Sequence, residues 1–338
     1  MFENKVEGPA REILLEKLYT LRSYGWRCIL FSDQVSNFRL SKFNSYVTPH
    51  TFRVNKVEKI LHSNLFMFAN SYMCIIAMKG VFLLKRGIQQ IVSSDNSSIK
   101  HFILYYMSMF CSSLAQTIPL VSSSSNNKYQ YRQYTFCLTL MLRNIYHDAV
   151  SGWLMLASCF YKTKQYDKAL HVIVYAISKC SPEKLYRPRD MVDIHHQLLK
   201  MKALQNKNIA YLCKILFVDF IDFDGKCELI PDELTSERIN GVYFAYSRPY
   251  AYFLKWLCHY HLNHVRQCQN SLKDLERVIG EQFFIADFNE IANAYNMIGI
   301  ALQLSGDTEL ARQAFLQSVN SFPYHEFNPA YKRLFPNS

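Results

Sequence analysis

The chain has 338 residues, half of them apolar, which is enough to bury one large core or two smaller ones. Its ten glycines and ten prolines are too few for a sandwich of many short strands, so the composition favours a mainly helical fold. Lysine and arginine outnumber aspartate and glutamate by 38 to 27, a net charge of +11. This excess is typical of an ordinary basic surface. A phosphate-binding groove is the alternative interpretation.

Ten cysteines are spread over apolar positions without the paired spacing of a zinc site. We expect them to be buried thiols of a reducing compartment. The first residues are charged and lack the apolar core of a signal peptide, so we predict a cytoplasmic protein. The uncharged stretch from Phe102 to Val121 is long enough for a membrane span, but its serines and Pro119 favour a buried helix.

The first third of the chain reads as helices separated by irregular segments. Residues 26–120 are predicted as one helical region, and its last helix runs from Ile99 to Thr117. The serine- and asparagine-rich residues 121–128 offer no apolar surface, so we predict a linker and the main domain boundary there.

A helical hairpin is predicted over Ala149 to Pro182, where large and small apolar residues recur every three or four positions on both sides of a short polar break. One hairpin cannot bury its own apolar face, so further copies should exist. The core positions assigned to the first hairpin are Trp153, Ala157, Tyr161, Tyr166, Ala169, Ala176 and the closing Pro182.

A second clear copy spans Ala294 to Pro323, and a degenerate third copy spans Tyr252 to Val278. In the clear copy, Gly299 should let the two helices approach and Gly306 should form the turn. The core positions assigned to the clear copy are Tyr295, Gly299, Gly306, Ala311, Phe315 and Pro323.

These copies predict an all-α fold in which residues 129–338 form a tetratricopeptide-like stack of helical hairpins. Between the hairpin at Ala149 to Pro182 and the degenerate copy at Tyr252 to Val278, we expect a helix pair over 190–220. An acidic, irregular connection should follow from Ile221 to Ser247. A short capping helix is predicted from Asn328 to Leu334.

Two groups of polar residues could form a reaction or metal site. The acidic stretch Asp222 to Leu234 lacks the end ligands of a calcium loop, and no Gly-Ser turn precedes it to hold a nucleotide phosphate. We therefore expect an acidic, solvated loop. Cys258, His261, His264 and Cys268 have no known ligand spacing. No catalytic residue, metal site or cofactor is predicted.

The stretch Lys128 to Lys184 resembles the carboxy-terminal helical region of molluscan proteins of the Mab family, which includes cyclic GMP-AMP synthase-like receptors. Residues 294–334 resemble the tail of those proteins, and residues 1–25 resemble the end of their nucleotidyltransferase-like domain. The resemblance implies that the metal-binding acids of the family would precede Met1. No catalytic residue of the family therefore maps onto this chain.

The function that these patterns favour is a non-catalytic scaffold that binds a protein or peptide partner, and the resemblance implies the tail of an innate-immune receptor. The groove would be lined by polar residues of the first helix of each hairpin. The candidates, each of which could also be an ordinary solvent-facing residue, are Ser158, Lys162, Lys255, His259, Asn296 and Gln303.

The alternative is the sensing of nucleic acid or a nucleotide through the basic surface. It predicts cations and aromatic residues on one face of the protein. The nearest such patch in the sequence consists of Lys128, Tyr129, Tyr131, Arg132 and Tyr134.

Overall fold

The computed structural model describes residues 97–120, 127–186, 193–205, 207, 209–225, 227–239, 241–281 and 288–335. All of them belong to the compact unit Met78–Ser338, and the unit Met1–Ala77 lies outside the described residues. The predictions for residues 1–25 and 26–96 lie outside them too.

The described residues are mainly helical, in agreement with the predicted class. The helices are α1 (Ser97–Gln116), α2 (Asn127–Asn144), α3 (Ser151–Lys162), α4 (Tyr166–Ser178), α5 (Asp193–Lys200), α6 (Lys202–Gln205), α7 (Ile209–Leu216), α8 (Ser247–His261), α9 (Val265–Gly280), α10 (Phe288–Leu304), α11 (Thr308–Ser321) and α12 (Ala330–Leu334). The strands are β1 (Leu185–Tyr186), β2 (Phe217–Val218), β3 (Ile221–Phe223) and β4 (Tyr243–Ala245), and a 3₁₀ helix covers Asp232–Glu237.

Three helical hairpins, α3–α4, α8–α9 and α10–α11, have the same turn. The turn residues Lys164, Asn263 and Gly306 have φ values of 58°, 57° and 87°, in the left-handed region that commonly ends a helix. In each turn, the next residue donates its N–H to the carbonyl five positions back. These bonds join Gln165 to Phe160 at 2.9 Å, His264 to His259 at 2.9 Å and Asp307 to Leu302 at 3.0 Å.

The three hairpins follow one another in space as they do in sequence. Helix α4 packs against α8, and both α8 and α9 pack against α10. Each hairpin therefore covers the apolar face of the next, and the pair α1–α2 packs ahead of the first. Helix α12 closes the far end against α11, as predicted for the segment from Asn328 to Leu334.

The predicted core positions of the hairpins fall into three groups. Those that are buried are Ala157, Tyr161, Ala169, Ala176, Gly299, Ala311 and Phe315. Those that are half-buried are Trp153, Tyr166 and Tyr295. Those that are exposed at turns or beyond helix ends are Pro182, Gly306 and Pro323. Helix α4 ends at Ser178, before Pro182 is reached.

The segment between the first and second hairpins differs from the prediction. The stretch predicted as an irregular connection contains β3 and β4, which pair antiparallel with Ile221 opposite Ala245. Strand β1 pairs parallel with β2, which replaces the end of the predicted second helix. The connection is also not a solvated loop. Its buried side chains include Phe223, Cys227, Leu229, Ile230 and Leu234.

The predicted boundary at 121–128 does not separate two bodies. Residues 121–126 lie outside the described residues, and Asn127 and Lys128 already belong to α2. The flanking helices pack together, because the Ser108 hydroxyl on α1 donates to the carbonyl oxygens of Arg143 (2.6 Å) and Asn144 (2.9 Å) on α2. The chain divides instead between Ala77 and Met78.

Helix α1 corresponds to the helix predicted from Ile99 to Thr117. Met109, Phe110 and Ala115 on its C-terminal half are buried. Among the helices of the described ranges, none has the length and apolar character that crossing a membrane requires.

Replacing Gly299 by alanine should destabilise the protein. A β-carbon at this position would lie 2.5 Å from the Phe315 ring, so the buried ring or the two helices would have to shift. We expect the free energy of unfolding to fall by about 1–3 kcal/mol, measured by urea denaturation. Gly280→Ala is the control, since a β-carbon there meets nothing within 4 Å. Equal stability of both variants would show that the close contact is unimportant.

Candidate functional site

Two of the six predicted groove residues are buried inside the protein. Ser158 is fully buried on α3, where its hydroxyl donates to the Leu154 carbonyl (2.9 Å) and accepts from the Tyr250 hydroxyl (2.7 Å). Asn296 is buried on α10, and its amide donates to the Asn328 side-chain oxygen at 3.3 Å. Neither side chain is accessible to a partner, because both are buried against other elements of the protein.

The remaining four groove candidates do not line one surface. Lys255 and His259 turn toward their own hairpin partner: the Lys255 ammonium lies 3.4 Å from the Asp274 carboxylate on α9. Gln303 is exposed and accepts a hydrogen bond from Arg333 at 2.8 Å. The Lys162 ammonium lies 2.6 Å from the Asp232 carboxylate, and only 10% of the Lys162 side chain is exposed.

The partner of Lys162 belongs to the segment inserted between the first two hairpins. This segment, Phe217 to Ala245, contacts the first helices of all three hairpins. The Tyr250 ring on α8 lies 5.7 Å from the Phe223 ring. On α10, the Asn293 amide donates to the Phe244 carbonyl at 3.1 Å. The face that was expected to be an open groove is therefore covered by the chain itself.

Polar side chains at the ends of α3 and α8 hold one side of the inserted segment. The Tyr161 hydroxyl donates to the Glu233 carboxylate at 2.7 Å and lies 2.8 Å from His261 Nε2. Because the Tyr161 proton is already donated, His261 Nε2 must be the donor in the second contact. The Tyr166 ring stacks on the imidazole with 4.9 Å between centroids. Burial and the Glu233 carboxylate raise the pKa of Tyr161, so the phenol stays neutral.

A second anchor lies where α12 meets the inserted segment. Arg333 donates to the Glu237 carboxylate at 2.8 Å and to the Ser236 hydroxyl at 3.1 Å. Its guanidinium also lies 5.4 Å from the centre of the Phe315 ring. Because Glu237 is 3% exposed, this pair is a buried charge contact between the last helix and the insertion.

A network around Asn328 fixes α12 to α11. The Asn328 amide nitrogen donates to the Ser318 carbonyl at 3.1 Å and to the Phe322 carbonyl at 3.0 Å. Its oxygen accepts from the Ala330 N–H at 3.0 Å, which caps the start of α12.

The acidic stretch from Asp222 is tied to α1 by hydrogen bonds. The Gln116 side chain donates to the Asp222 carbonyl at 2.8 Å and accepts from the Asp224 N–H at 2.9 Å. The Glu228 carboxylate accepts from the Leu120 N–H at 2.7 Å. Within the described ranges, no group of three or more histidine, cysteine, aspartate or glutamate side chains has the arrangement of a metal site.

A serine–histidine contact that the sequence analysis missed lies before α3. His147 Nδ1 lies 2.7 Å from the Asn144 carbonyl, so this nitrogen carries the proton and Nε2 accepts from the Ser151 hydroxyl at 3.0 Å. Neighbouring Asp148 accepts from the N–H groups of Ser151, Gly152 and Asp219 at 2.9–3.1 Å.

This arrangement has the hydrogen-bond order of a nucleophile and its base, but it serves the fold. Ser151 is 2% exposed and His147 is 3% exposed, so no substrate reaches the hydroxyl. Asp148 uses the backbone donors at the start of α3, the role that aspartate commonly has at a helix N-terminus. An aspartate shortly before a helix start was the signal in the sequence.

Comparison of the chain with protein-family models, curated proteins and solved structures found no match. The function therefore has to be inferred from the geometry described above.

Removing the Arg333 guanidinium should strongly destabilise the fold. Arg333→Ala leaves the Glu237 carboxylate buried without its partner, which costs about 3–5 kcal/mol of unfolding free energy. Replacing both members together, in Arg333→Met with Glu237→Leu, should recover much of that loss. Urea denaturation measures all three proteins. A loss below about 1 kcal/mol in Arg333→Ala would contradict the anchoring role.

Stability should fall in alkaline solution because buried thiols resist ionisation. Burial raises the pKa of Cys111 to about 11 and, with help from Asp148 and Asp219, that of Cys213 to about 12. The unfolded thiols ionise near pH 9, so the stabilisation is complete below that pH and is lost between pH 9 and 12.

Cys213→Ala isolates one of these thiols. Above pH 9.5 the unfolding free energy of Cys213→Ala should fall less steeply with pH than that of the parent. The two slopes should differ by about 1.4 kcal/mol per pH unit. Urea titrations at several pH values measure this slope, which a small cavity does not alter. Parallel curves for the two proteins would contradict the assignment.

Proposed function

We propose that this protein is a non-catalytic scaffold for protein–protein interaction, built on tetratricopeptide-like hairpins. The observation that carries the proposal is the series of three stacked hairpins with one turn geometry. Repeats of this kind present extended helical surfaces on which partner segments dock. The burial of small residues such as Ala169 and Gly299 between helices supports the tetratricopeptide assignment.

The partner surface has to differ from the groove suggested by the sequence. The inserted segment covers the first helices, and Ser158 and Asn296 bond inside the protein. Within the described residues, exposed side chains suited to a partner lie on α2 and on the second helices α4, α9 and α11. A partner that docks on these helices leaves the core and the anchors of the insertion intact.

The resemblance to the Mab family extends the proposal. Similarity at Lys128 to Lys184 and at residues 294–334 covers the first and last hairpins. In that setting the chain acts as the helical, non-catalytic part of a nucleotidyltransferase-like receptor and gathers protein partners for it.

The test is capture of partners from a lysate of the source by the purified full chain. Washes at low salt and at about 0.5 M salt, at which surface charges are strongly screened, separate packed from purely electrostatic contacts. We expect a defined protein to survive both washes and nuclease treatment. Recovery of nucleic acid alone, released at high salt, would replace the scaffold with nucleic-acid sensing through the basic surface.

A further inference from the structure

Helix α2 exposes an unusual face. Five exposed large apolar side chains lie between residues 129 and 146, more than in any other described stretch of similar length. They are Tyr129, Tyr131, Phe136, Leu142 and Tyr146. The helix contains no acidic residue, whereas the exposed face of α9 mixes acids with bases and amides, as ordinary solvated helices do.

On the exposed face of α2, two arginines lie between apolar residues and closest to Phe136. At about 100° per residue, Tyr131 and Leu142 fall about 20° apart around the axis. Arg132 and Arg143 are likewise about 20° apart, and Phe136 follows beyond them. Both arginines are exposed, and neither pairs with an acid in the described part of the chain. The Arg143 guanidinium also lies within hydrogen-bonding reach of the Cys111 thiol on α1.

Hydrogen-bonding groups on this face are used within the helix. Thr135 and Thr139 donate to the carbonyls of Tyr131 and Thr135, each at 2.8 Å. Tyr134, one of the residues considered for nucleic-acid binding, is half-buried and accepts from Gln165 at 2.9 Å. A surface that reads base sequence would offer such groups to the ligand, so this face is poorly suited to sequence-specific nucleic-acid binding.

A lipid surface also fits the order of residues poorly. An interfacial helix buries an apolar centre and keeps its cations at the edges, near the headgroups. Here Arg132 and Arg143 lie between Tyr131 on one side and Phe136 on the other, so cations interrupt the apolar surface. The complementary surface has carboxylates along its middle and apolar side chains on either side, which describes an acidic amphipathic helix of a protein.

We propose that the outer face of α2, consisting of Tyr131, Arg132, Phe136, Leu142 and Arg143, is the docking site for an acidic amphipathic helix of a partner protein. This inference rests on the scaffold function and names its surface and partner chemistry. The partner's carboxylates pair with the two arginines, and its apolar residues cover the flanking side chains.

Fluorescence anisotropy with the full chain tests the proposal. The probe is a labelled helical peptide of the length of α2, with a central glutamate stripe between two leucine stripes, and its counterpart carries glutamine for glutamate. We expect Arg132→Glu with Arg143→Glu to weaken binding of the acidic peptide at least tenfold. The matched control, Arg266→Glu with Lys273→Glu on exposed positions of α9, makes the same charge change and should stay within twofold.

Two further probes decide between macromolecule classes. A single-stranded oligouridine and phosphatidylserine vesicles are titrated against the same three proteins. The proposal is overturned if binding of the oligouridine or of the vesicles depends on Arg132 and Arg143 while binding of the peptide does not. It is also overturned if the α2 and α9 variants weaken peptide binding equally, since that would indicate only general charge attraction.

Partner capture separates this inference from the scaffold function. A captured protein that the α2 variant loses and the α9 variant retains supports both. A protein that the α2 variant also retains leaves the scaffold in place and overturns the docking site. If the parent chain captures no protein, the scaffold function fails. Peptide binding that depends on the two arginines would still show that the α2 face binds an acidic helix.

Discussion

The packing of the inserted segment onto the first helices is the constraint on which the rest of the structure depends. Helix α8 is buried on nearly all sides, from Tyr250 to Cys258, so it needs neighbours all round. The first hairpin covers one side, α9 and α10 cover others, and Phe223 of the insertion lies against Tyr250. Without the insertion, this central helix would expose apolar surface to water.

Because the inserted segment covers the first helices, their side chains are less accessible to a binding partner. In helical repeats the first helices commonly form the partner surface, and their polar residues remain available. Here Ser158 and Asn296 bond to buried groups, and the carboxylates of Glu233 and Glu237 are held by Tyr161 and Arg333. A partner that entered this face would have to expose fully buried Leu234 and break those contacts, so binding on an outer helix costs far less.

The sequence predicted the parts of the fold that depend on near neighbours. The three hairpins follow from helical spacing and from turn residues such as Gly306, because both signals lie within one segment. The role of the insertion could not be predicted, since its contacts join distant positions: Tyr161 and Glu233 are 72 residues apart, and Glu237 and Arg333 are 96 apart.

The placement of polar residues was harder to predict for a related reason. Serine on a helix is usually read as solvent-facing, but Ser158 donates to the carbonyl one turn back and is buried. Asn296 is likewise bonded to Asn328, a residue of another element. The sequence shows that a residue is polar. Whether that residue is buried depends on which other elements pack over it in the folded protein.

Residues at matching positions of the three hairpins show what keeps their geometry constant. The position of Gly299 is taken by Ala157 in the first hairpin and by Trp256 in the middle one, so the core volumes differ greatly. The turn residue also varies, and Lys164 adopts a left-handed conformation that costs a residue with a β-carbon about 1 kcal/mol. Yet all three turns make the same pair of hydrogen bonds: the turn residue donates its N–H to the carbonyl three positions back, and the next residue donates to the carbonyl five positions back. The shared geometry therefore comes from closing two helices with satisfied backbone groups, and it tolerates large sequence differences between the hairpins.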